Sequence, residues 1–283
     1  MKVKFGQIKN LLVENRIFIG GQPLPSDPQK YLDDQVIEIQ KDIRLEPYTT
    51  YWANSGRRLV SMGSFSYTGS TLAATVKVGR YCSIASGLKV FGNSHPHKWA
   101  STSPVFYSDS NLVKTFRKDH NTDIEIKGYT STNEPIVIGN DVWIGQDVVL
   151  ARGITIGDGA VVAANSIVTK SVPAYSIVGG NPARIIKMRY DNSIIEDMLQ
   201  LEWWKYGPDT LSKFDSTKPA IFLKDLKSAV SSAGITPYEP KSISYSDFQG
   251  AADHVELTAP PTELPRKPSL LRFIRMGRDQ TAQ

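Results

Sequence analysis

From Ile138 to Gly179 the chain repeats a six-residue frame. Aliphatic residues return at Ile138, Ile144, Leu150, Ile156, Val162 and Val168, and glycine follows three of them, at Gly139, Gly145 and Gly157. A second apolar or small residue sits four places on, at Val142, Val148, Ile154, Ala160, Ser166 and Val172. The same frame starts earlier at Val78, Ile84 and Val90, and a degraded copy, MGSFSY, starts at Met62. A period of six is neither the period of a helix nor that of a continuous strand. It predicts short strands joined by sharp corners, with the aliphatic position and the one four later pointing inward and Gly or Asn relieving the corner. Three hexads close one triangular coil. Stacked coils lie about 4.8 Å apart and bury an aliphatic column that no single repeat could bury. An ordinary buried strand meander is the alternative, and six aliphatic residues in register weigh against it.

The repeat breaks after His95 and resumes at Ile138, so residues 96–135 form a long polar and aromatic excursion. Such insertions in a compact repeat are commonly functional. Residues 1–58 read as an irregular lead-in or cap, with a strand-like run at 36–45, and residues 59–190 as the coil domain. Ser193 and Glu196 form a capping-box pattern, and Ile194, Ile195, Met198 and Leu201 share a helical face. They predict a helix over the end of the stack, within a helical segment at 191–235 that has a second, weaker helix at 218–234. Residues 236–265 are polar and Pro-rich and read as a poorly ordered linker. The stretch 266–278 mixes Arg266, Lys267, Arg272, Arg275 and Arg278 with apolar residues. It fits a peripheral contact with an anionic membrane, or a terminal helix packed on its own protein.

Composition narrows the function classes. The 283 residues carry 33 Lys+Arg against 28 Asp+Glu, a balance of +5 that is too mild to argue for nucleic acid in the absence of a nucleic-acid motif. With 40% hydrophobic residues the chain is not a disordered one. No apolar run reaches the roughly 18 residues of a membrane span, and the N-terminus lacks the apolar core of a secretory signal. A single cysteine excludes an internal disulfide framework and fits a reducing, cytoplasmic setting. Cys82, four after Val78, falls at an inward position and reads as a buried filler; a covalent acetyl-cysteine is the sharper alternative.

The segments VGRYCSIASGLKVFGNSHPHKWASTSPVFY at 78–107, EPIVIGNDVWIGQDVVL at 134–150 and GAVVAANSIVTKSVPAYSIVGGNPARIIKMR at 159–189 carry a resemblance. Over roughly residues 60–206 the chain resembles the hexapeptide-repeat acyltransferases, in particular the xenobiotic (streptogramin and type B chloramphenicol) acetyltransferases and related polysaccharide O-acetyltransferases. The resemblance implies a mainly β fold, a left-handed parallel β-helix with an extruded loop and C-terminal helices. That handedness is an exception to the usual crossover rule. It also implies a homotrimer with active sites between subunits, and acetyl-coenzyme A as co-substrate with no metal.

Residue by residue, the family's catalytic histidine falls on His95. It would serve as the general base that takes the acceptor's proton, a role suited to an imidazole. His97 reads as an acceptor contact or an exposed side chain, and His120 as a solvated loop residue. Gly145, Ala163 and Ala164 match small positions along the pantetheine arm, and Trp143 matches a tryptophan bordering its acetyl end. Thr169, Lys170, Arg184 and Lys187 match the nucleotide end, where cations meet phosphates. The backbone N–H at the Gly145–Gln146 corner is a candidate oxyanion donor by analogy. Nothing in the sequence selects the group that orients His95, with Asn93 and the loop carboxylates as options.

The function so implied is acetyl transfer from acetyl-coenzyme A to a sugar or cell-surface polysaccharide, by direct attack on the thioester. Acetylation of an antibiotic is the alternative. A non-catalytic β-helix scaffold and a zinc carbonic anhydrase are remoter; the second hexad run contains no His to supply zinc ligands on successive coils.

Overall fold

The computed structural model describes residues 1–20, 33–52, 55, 57–130, 134–232 and 234–258. The basic stretch 266–278 lies outside them. Rungs of two or three residues, with a longer hairpin closing one end, stack into three ladders, the faces of a triangular prism. The long ladder runs Ala183–Met188, Ser176–Gly180, Val161–Val162, Trp143–Ile144, Ser83–Ile84, Tyr67–Thr68, Thr49–Tyr51, Ile17–Ile19. It is parallel throughout except for the closing hairpin of Ser176–Gly180 with Ala183–Met188. The second ladder joins Val76–Val78, Ile136–Ile138 and Thr155–Ile156, and the third Lys89–Val90, Val149–Leu150 and Ile167–Val168. The chain visits the second, long and third ladders in turn, one circuit per coil.

Inward residues form continuous columns. Ile19, Tyr51, Thr68, Ile84, Ile144, Val162 and Val178 follow one another in register and are all buried. The predicted positions Ile138, Ile144, Leu150, Ile156, Val162 and Val168 are each at most 1% exposed. Hexad glycines admit the neighbouring coil: a Cβ on Gly145 would lie 2.5 Å from the Ala164 nitrogen, and one on Gly157 2.5 Å from that of Ala174. Every sixth residue turns the corner in the left-handed region, at Asp141, Asp147, Gly153, Gly159 and Asn165, where Gly, Asn and Asp carry the least steric cost.

The stack starts earlier than the expected lead-in at 1–58 allows. Ile17–Ile19 and Thr49–Tyr51 already belong to the long ladder, and helix α1 (Phe5–Glu14) buries Phe5, Ile8 and Leu12. The early coils escape the aliphatic pattern because their interior is small and polar. Ser66, Thr68 and Ser70 are buried and their hydroxyls are satisfied; Ser66 Oγ, for example, donates to the Gly79 carbonyl at 2.7 Å and accepts from Cys82 N–H at 2.9 Å. The MGSFSY copy is therefore a working coil. Cys82 is fully buried, and burial pushes its thiol up to about 12.

Between Val90 and Ile136 the chain adds no described rung to the ladders. It forms a single 3-10 turn, Pro104–Phe106, and helix α2 (Asn111–His120), whose Val113 is buried. The next coil nevertheless follows directly, because Val78 pairs with Ile138.

The C-terminal region departs from expectation in two ways. Helix α3 (Asn192–Leu201) is present, but Asp191 rather than Ser193 occupies its N-cap, two residues early. Its packing is also along an edge of the prism rather than over the end. The residues at that corner are Tyr48, Phe65, Tyr81, Asp141, Gly159 and Tyr175, all at positive φ. Tyr48 stacks on Phe65 at 5.7 Å and Phe65 meets Tyr81 at 4.9 Å. Where Asp141 and Gly159 interrupt the aromatic column, Arg189 fills in, donating to Asp141 Oδ2 at 2.8 Å and to the Gly159 carbonyl at 2.7 Å. Trp203 packs on Tyr81 at 5.1 Å, and Tyr81 donates to the Tyr206 carbonyl at 2.7 Å. After helices α4 (Pro208–Leu211) and α5 (Pro219–Ser232), Tyr238 packs on Phe65 at 5.5 Å.

Residues 236–253, expected as linker, complete this strap. Ile243–Ser244 pairs with Arg44–Leu45, and helix α6 (Tyr245–Thr258) packs on α1 through the buried Phe248. Phe248 and Ala252 are buried and Tyr245 and Ala251 pack against the same core, a pattern that average composition conceals. Among the described residues no helix is long and apolar enough to cross a membrane.

Two predictions follow from these contacts. Gly157→Ala forces a methyl group against the Ala174 backbone and should cost about 1–3 kcal/mol in urea unfolding, the usual scale of overpacking. Arg80 and Glu46 form a doubly bonded pair at 2.7 and 2.9 Å. Burial pushes the Glu46 carboxyl up, but Arg80 and the Ser64 N–H outweigh it and hold it below its ordinary 4.5. The pair's stabilisation is thus full above that value and lost as pH falls through the lower folded value. Arg80→Met should cost about 1–3 kcal/mol near pH 7, and measurably less once the pH has fallen through the lowered folded value of Glu46 and the carboxyl is neutral.

Candidate functional site

His95 stands where the chain leaves the third ladder. Two local turns shape the segment: His97 N–H donates to the His95 carbonyl at 2.8 Å and Trp99 N–H to that of Pro96 at 3.0 Å. Ser103 caps the Pro104–Phe106 turn, which delivers Tyr107 back to the histidine. His95 Nδ1 then lies 3.0 Å from the Thr102 carbonyl and 2.6 Å from the Tyr107 hydroxyl. A carbonyl has no proton to give, so its approach assigns the proton to Nδ1. Nε2 is left as the basic nitrogen. The imidazole is exposed.

An aromatic shelf adjoins it. Tyr107, Trp99 and Tyr129 meet edge to face, with ring centroids 5.3–6.2 Å apart, and Tyr129 shares a 2.8 Å hydrogen bond with Ser94. Arg117 on α2 ties the insert together through Asp109 Oδ1 at 2.7 Å and the Ile124 carbonyl, and Lys127 N–H reaches the Phe106 carbonyl at 2.8 Å. Sequence reasoning offered Asn93 or a carboxylate as the partner of His95. The geometry puts Thr102 and Tyr107 there instead. Neither carries a sequence signal, since a backbone carbonyl has no identity and Tyr107 sits in a segment without periodicity.

The remaining site residues lie elsewhere on the prism. Trp143 projects from the long ladder, 59% exposed, in register with Val161, Ile177 and Lys187. Thr169, Lys170 and Arg184 line one groove of about 320 Å³ beside Val178 and Ala183; Lys187 is outside it. Arg184 donates to the Ala183 carbonyl at 2.9 Å, and Thr169 and Lys170 are exposed. Ala163 and Ala164 form the corner after Val161–Val162, with Ala164 exposed.

Two assignments change. Gly145 is small because the next coil lies against it, so its lack of a side chain is no sign of a ligand. Its N–H donates to the Val162 carbonyl at 2.8 Å and is not free for an oxyanion. Gln146 is exposed at the same corner, its carbonyl accepting from Asn165 N–H at 2.8 Å. His97 is exposed, and Phe116 packs on His120 at 4.2 Å. Among the described residues no group of three His, Cys, Asp or Glu converges as metal ligands would.

A model of the bacterial transferase hexapeptide (six repeats) family matches residues 135–170. A chloramphenicol acetyltransferase from Klebsiella aerogenes is 40% identical over 152 residues, covering 51% of this chain and 64% of that protein. A probable macrolide acetyltransferase from Lysinibacillus sphaericus is 40% identical over 136 residues, covering 47% of this chain and 71% of that protein. The chain thus spans somewhat less than two thirds of the chloramphenicol acetyltransferases it matches. Among solved structures, a hexapeptide-repeat-containing acetyltransferase from Vibrio cholerae is 26% identical, covering 55% of this chain and 74% of that one, at a TM-score of 0.31. With its hexad coils and these relatives, the chain belongs to the hexapeptide-repeat acyltransferase family, where it is similar to the xenobiotic acetyltransferases.

Proposed function

We propose that the protein transfers an acetyl group from acetyl-coenzyme A to a hydroxyl of a saccharide acceptor, with His95 as general base. The observation that carries this reading is the Thr102 carbonyl on His95 Nδ1 at 3.0 Å. It fixes the tautomer that leaves Nε2 able to take a proton. The acceptor oxygen attacks the thioester carbonyl as Nε2 removes its proton. The tetrahedral adduct then collapses, the C–S bond breaks, and the imidazolium returns the proton to the departing thiolate. Thr102 and Tyr107 stabilise the charged imidazolium by accepting from Nδ1–H. Lys170 and Arg184 meet the coenzyme's phosphates, with Thr169 and Lys187 beside them, while Trp143, Ala163 and Ala164 flank its pantetheine arm.

In this reading the coils wind left-handed, the 96–135 insert extends from the stack, and three copies assemble. The assembly is part of the proposal because His95 leaves the prism from the third ladder while Trp143 and Lys187 project from the long one. The shelf of Trp99, Tyr107 and Tyr129 suits a sugar ring, whose C–H face stacks on aromatic side chains. A second reading, acetylation of a hydroxylated antibiotic, is favoured by the names of the relatives.

Thiol release from acetyl-coenzyme A against sugars, glycan fragments and hydroxylated antibiotics tests both readings. His95→Ala should lower acceptor-dependent kcat by about 10²–10⁴-fold while coenzyme binding persists. Release that survives this substitution overturns the base. Release with antibiotics alone overturns the saccharide. Tyr107→Phe should lower kcat by roughly tenfold or less and leave the KM for acetyl-coenzyme A unchanged, the pattern of an interaction felt mainly in the transition state.

A further inference from the structure

A cleft of about 480 Å³ lies between the aromatic corner and the C-terminal strap, within the usual size range of small-molecule pockets. It belongs to the edge between the second and long ladders, whereas His95 leaves from the edge between the third and second. Trp203 and Phe214 line it, with Tyr81 and Tyr175 behind and the Asp141–Arg189 pair among its polar groups. Ser212 and Ser216 bring hydroxyls to it from exposed positions. Trp203 Nε1–H donates to the Tyr175 hydroxyl at 3.4 Å, which orients the indole.

The charges in the cleft decide what it can hold. Arg189 is committed: Nη1 donates to Asp141 and Gly159, and Nη2 donates to the Tyr190 hydroxyl at 3.2 Å. Its guanidinium also covers the rings of Tyr175 and Tyr190, at 5.3 and 5.2 Å from their centroids. An anion therefore meets a cation already neutralised. A cation meets a carboxylate already paired, and two of the aromatic faces that would attract it are taken. Trp203 packs on Tyr81 and Phe222 and Phe214 on Phe222, so what remains is the part of those two rings that lines the cleft, together with the Asp141 carboxylate and the two serines. A flat hydrocarbon would fill the first and strip water from the second without replacing its hydrogen bonds. A pyranose satisfies both, with apolar C–H faces and a hydroxyl rim.

We propose that this cleft is a second binding site, separate from the transfer site, and that it takes an uncharged saccharide. The assignment does not depend on which acceptor is acetylated at His95. On a polymeric glycan the site would hold a sugar unit remote from the one being modified.

The test uses the full chain. Cellobiose, maltose and chitobiose are titrated while tryptophan fluorescence and saturation-transfer NMR are followed. Galacturonate, glucosamine and p-cresol serve as the anionic, cationic and aromatic comparisons. At least one uncharged disaccharide should bind saturably with a Kd of about 0.1–10 mM, as expected for a small open site. Ser212→Trp, which plugs the cleft from an exposed position, should weaken that binding by roughly tenfold or more with unchanged thermal melting and unchanged acetyl transfer to small acceptors. Phe214→Ala is the companion variant should the tryptophan disturb folding. Binding should be indifferent to His95→Ala and to saturating coenzyme A. The proposal is overturned by absence of saturable binding, by binding untouched in both variants, by loss in His95→Ala, or by preference for the charged sugars or p-cresol.

Discussion

Each rung of the prism is too short to stand alone. Most are two residues long, so a coil gains almost nothing from its own backbone and is held by the coil on either side. Everything else follows from keeping that repeat spacing. The second hexad position is glycine where the adjoining backbone leaves no room for a Cβ, and the fourth adopts positive φ so that the chain can turn within the available length. An insertion is compatible with such a stack only if it leaves and returns at a corner without shifting the ladder. The ladder is unshifted across the 96–135 segment: Val78 and Ile138 pair as if nothing separated them. The region around His95 is therefore free to vary in shape while its two ends remain anchored to a rigid scaffold, the usual relation between variable loops and the elements that place them.

The aromatic corner shows the same constraint under load. Bulky residues at positive φ carry a steric cost of order 1–2 kcal/mol each, and Tyr48, Phe65, Tyr81 and Tyr175 all adopt it. The first three pack on one another and on Trp203 and Tyr238, and Tyr175 on Tyr190, offsetting that cost by burial and ring contact. The strap from Arg189 to α6 is thus a structural partner of the coils. It begins at the last coil, supplies Arg189 where the aromatic column fails, and ends against α1 beside the first. The cleft beneath Trp203 exists because the strap bridges an edge whose side chains are uneven in size: large at Tyr81 and Tyr175, small at Asp141 and Gly159.

The legible part of the sequence was its period. Aliphatic residues at Ile138 through Val168 predicted an inward column because a buried coil face admits little else. The earlier coils were hidden where serine and threonine fill the same positions, satisfied by backbone carbonyls that no sequence pattern reports. The strap beyond residue 236 was hidden for a related reason: Ile243 and Phe248 are few, and their neighbours are polar because they face water. Around His95, the resemblance located the histidine, but its partners come from the folding of a non-periodic insert. Gly145 misled in the opposite direction. A small residue is equally suited to a ligand or to a neighbouring coil, and only the position of Ala164 separates the two.

The placement of the candidate residues bears on assembly. A β-helix edge is rigid, so a side chain on one ladder cannot be brought to a group on another by loop adjustment alone. The third ladder launches His95, and the outer face of the long ladder carries Trp143 and Lys187. Closed rotation of identical prisms about a shared axis sets a different face of one copy against a given face of the next. In the proposed trimer each copy sets its His95 toward one neighbour and its Trp143 and Lys187 toward the other. On that proposal the separation of His95 from Trp143 and Lys187 is bridged by a neighbouring copy, without moving any coil.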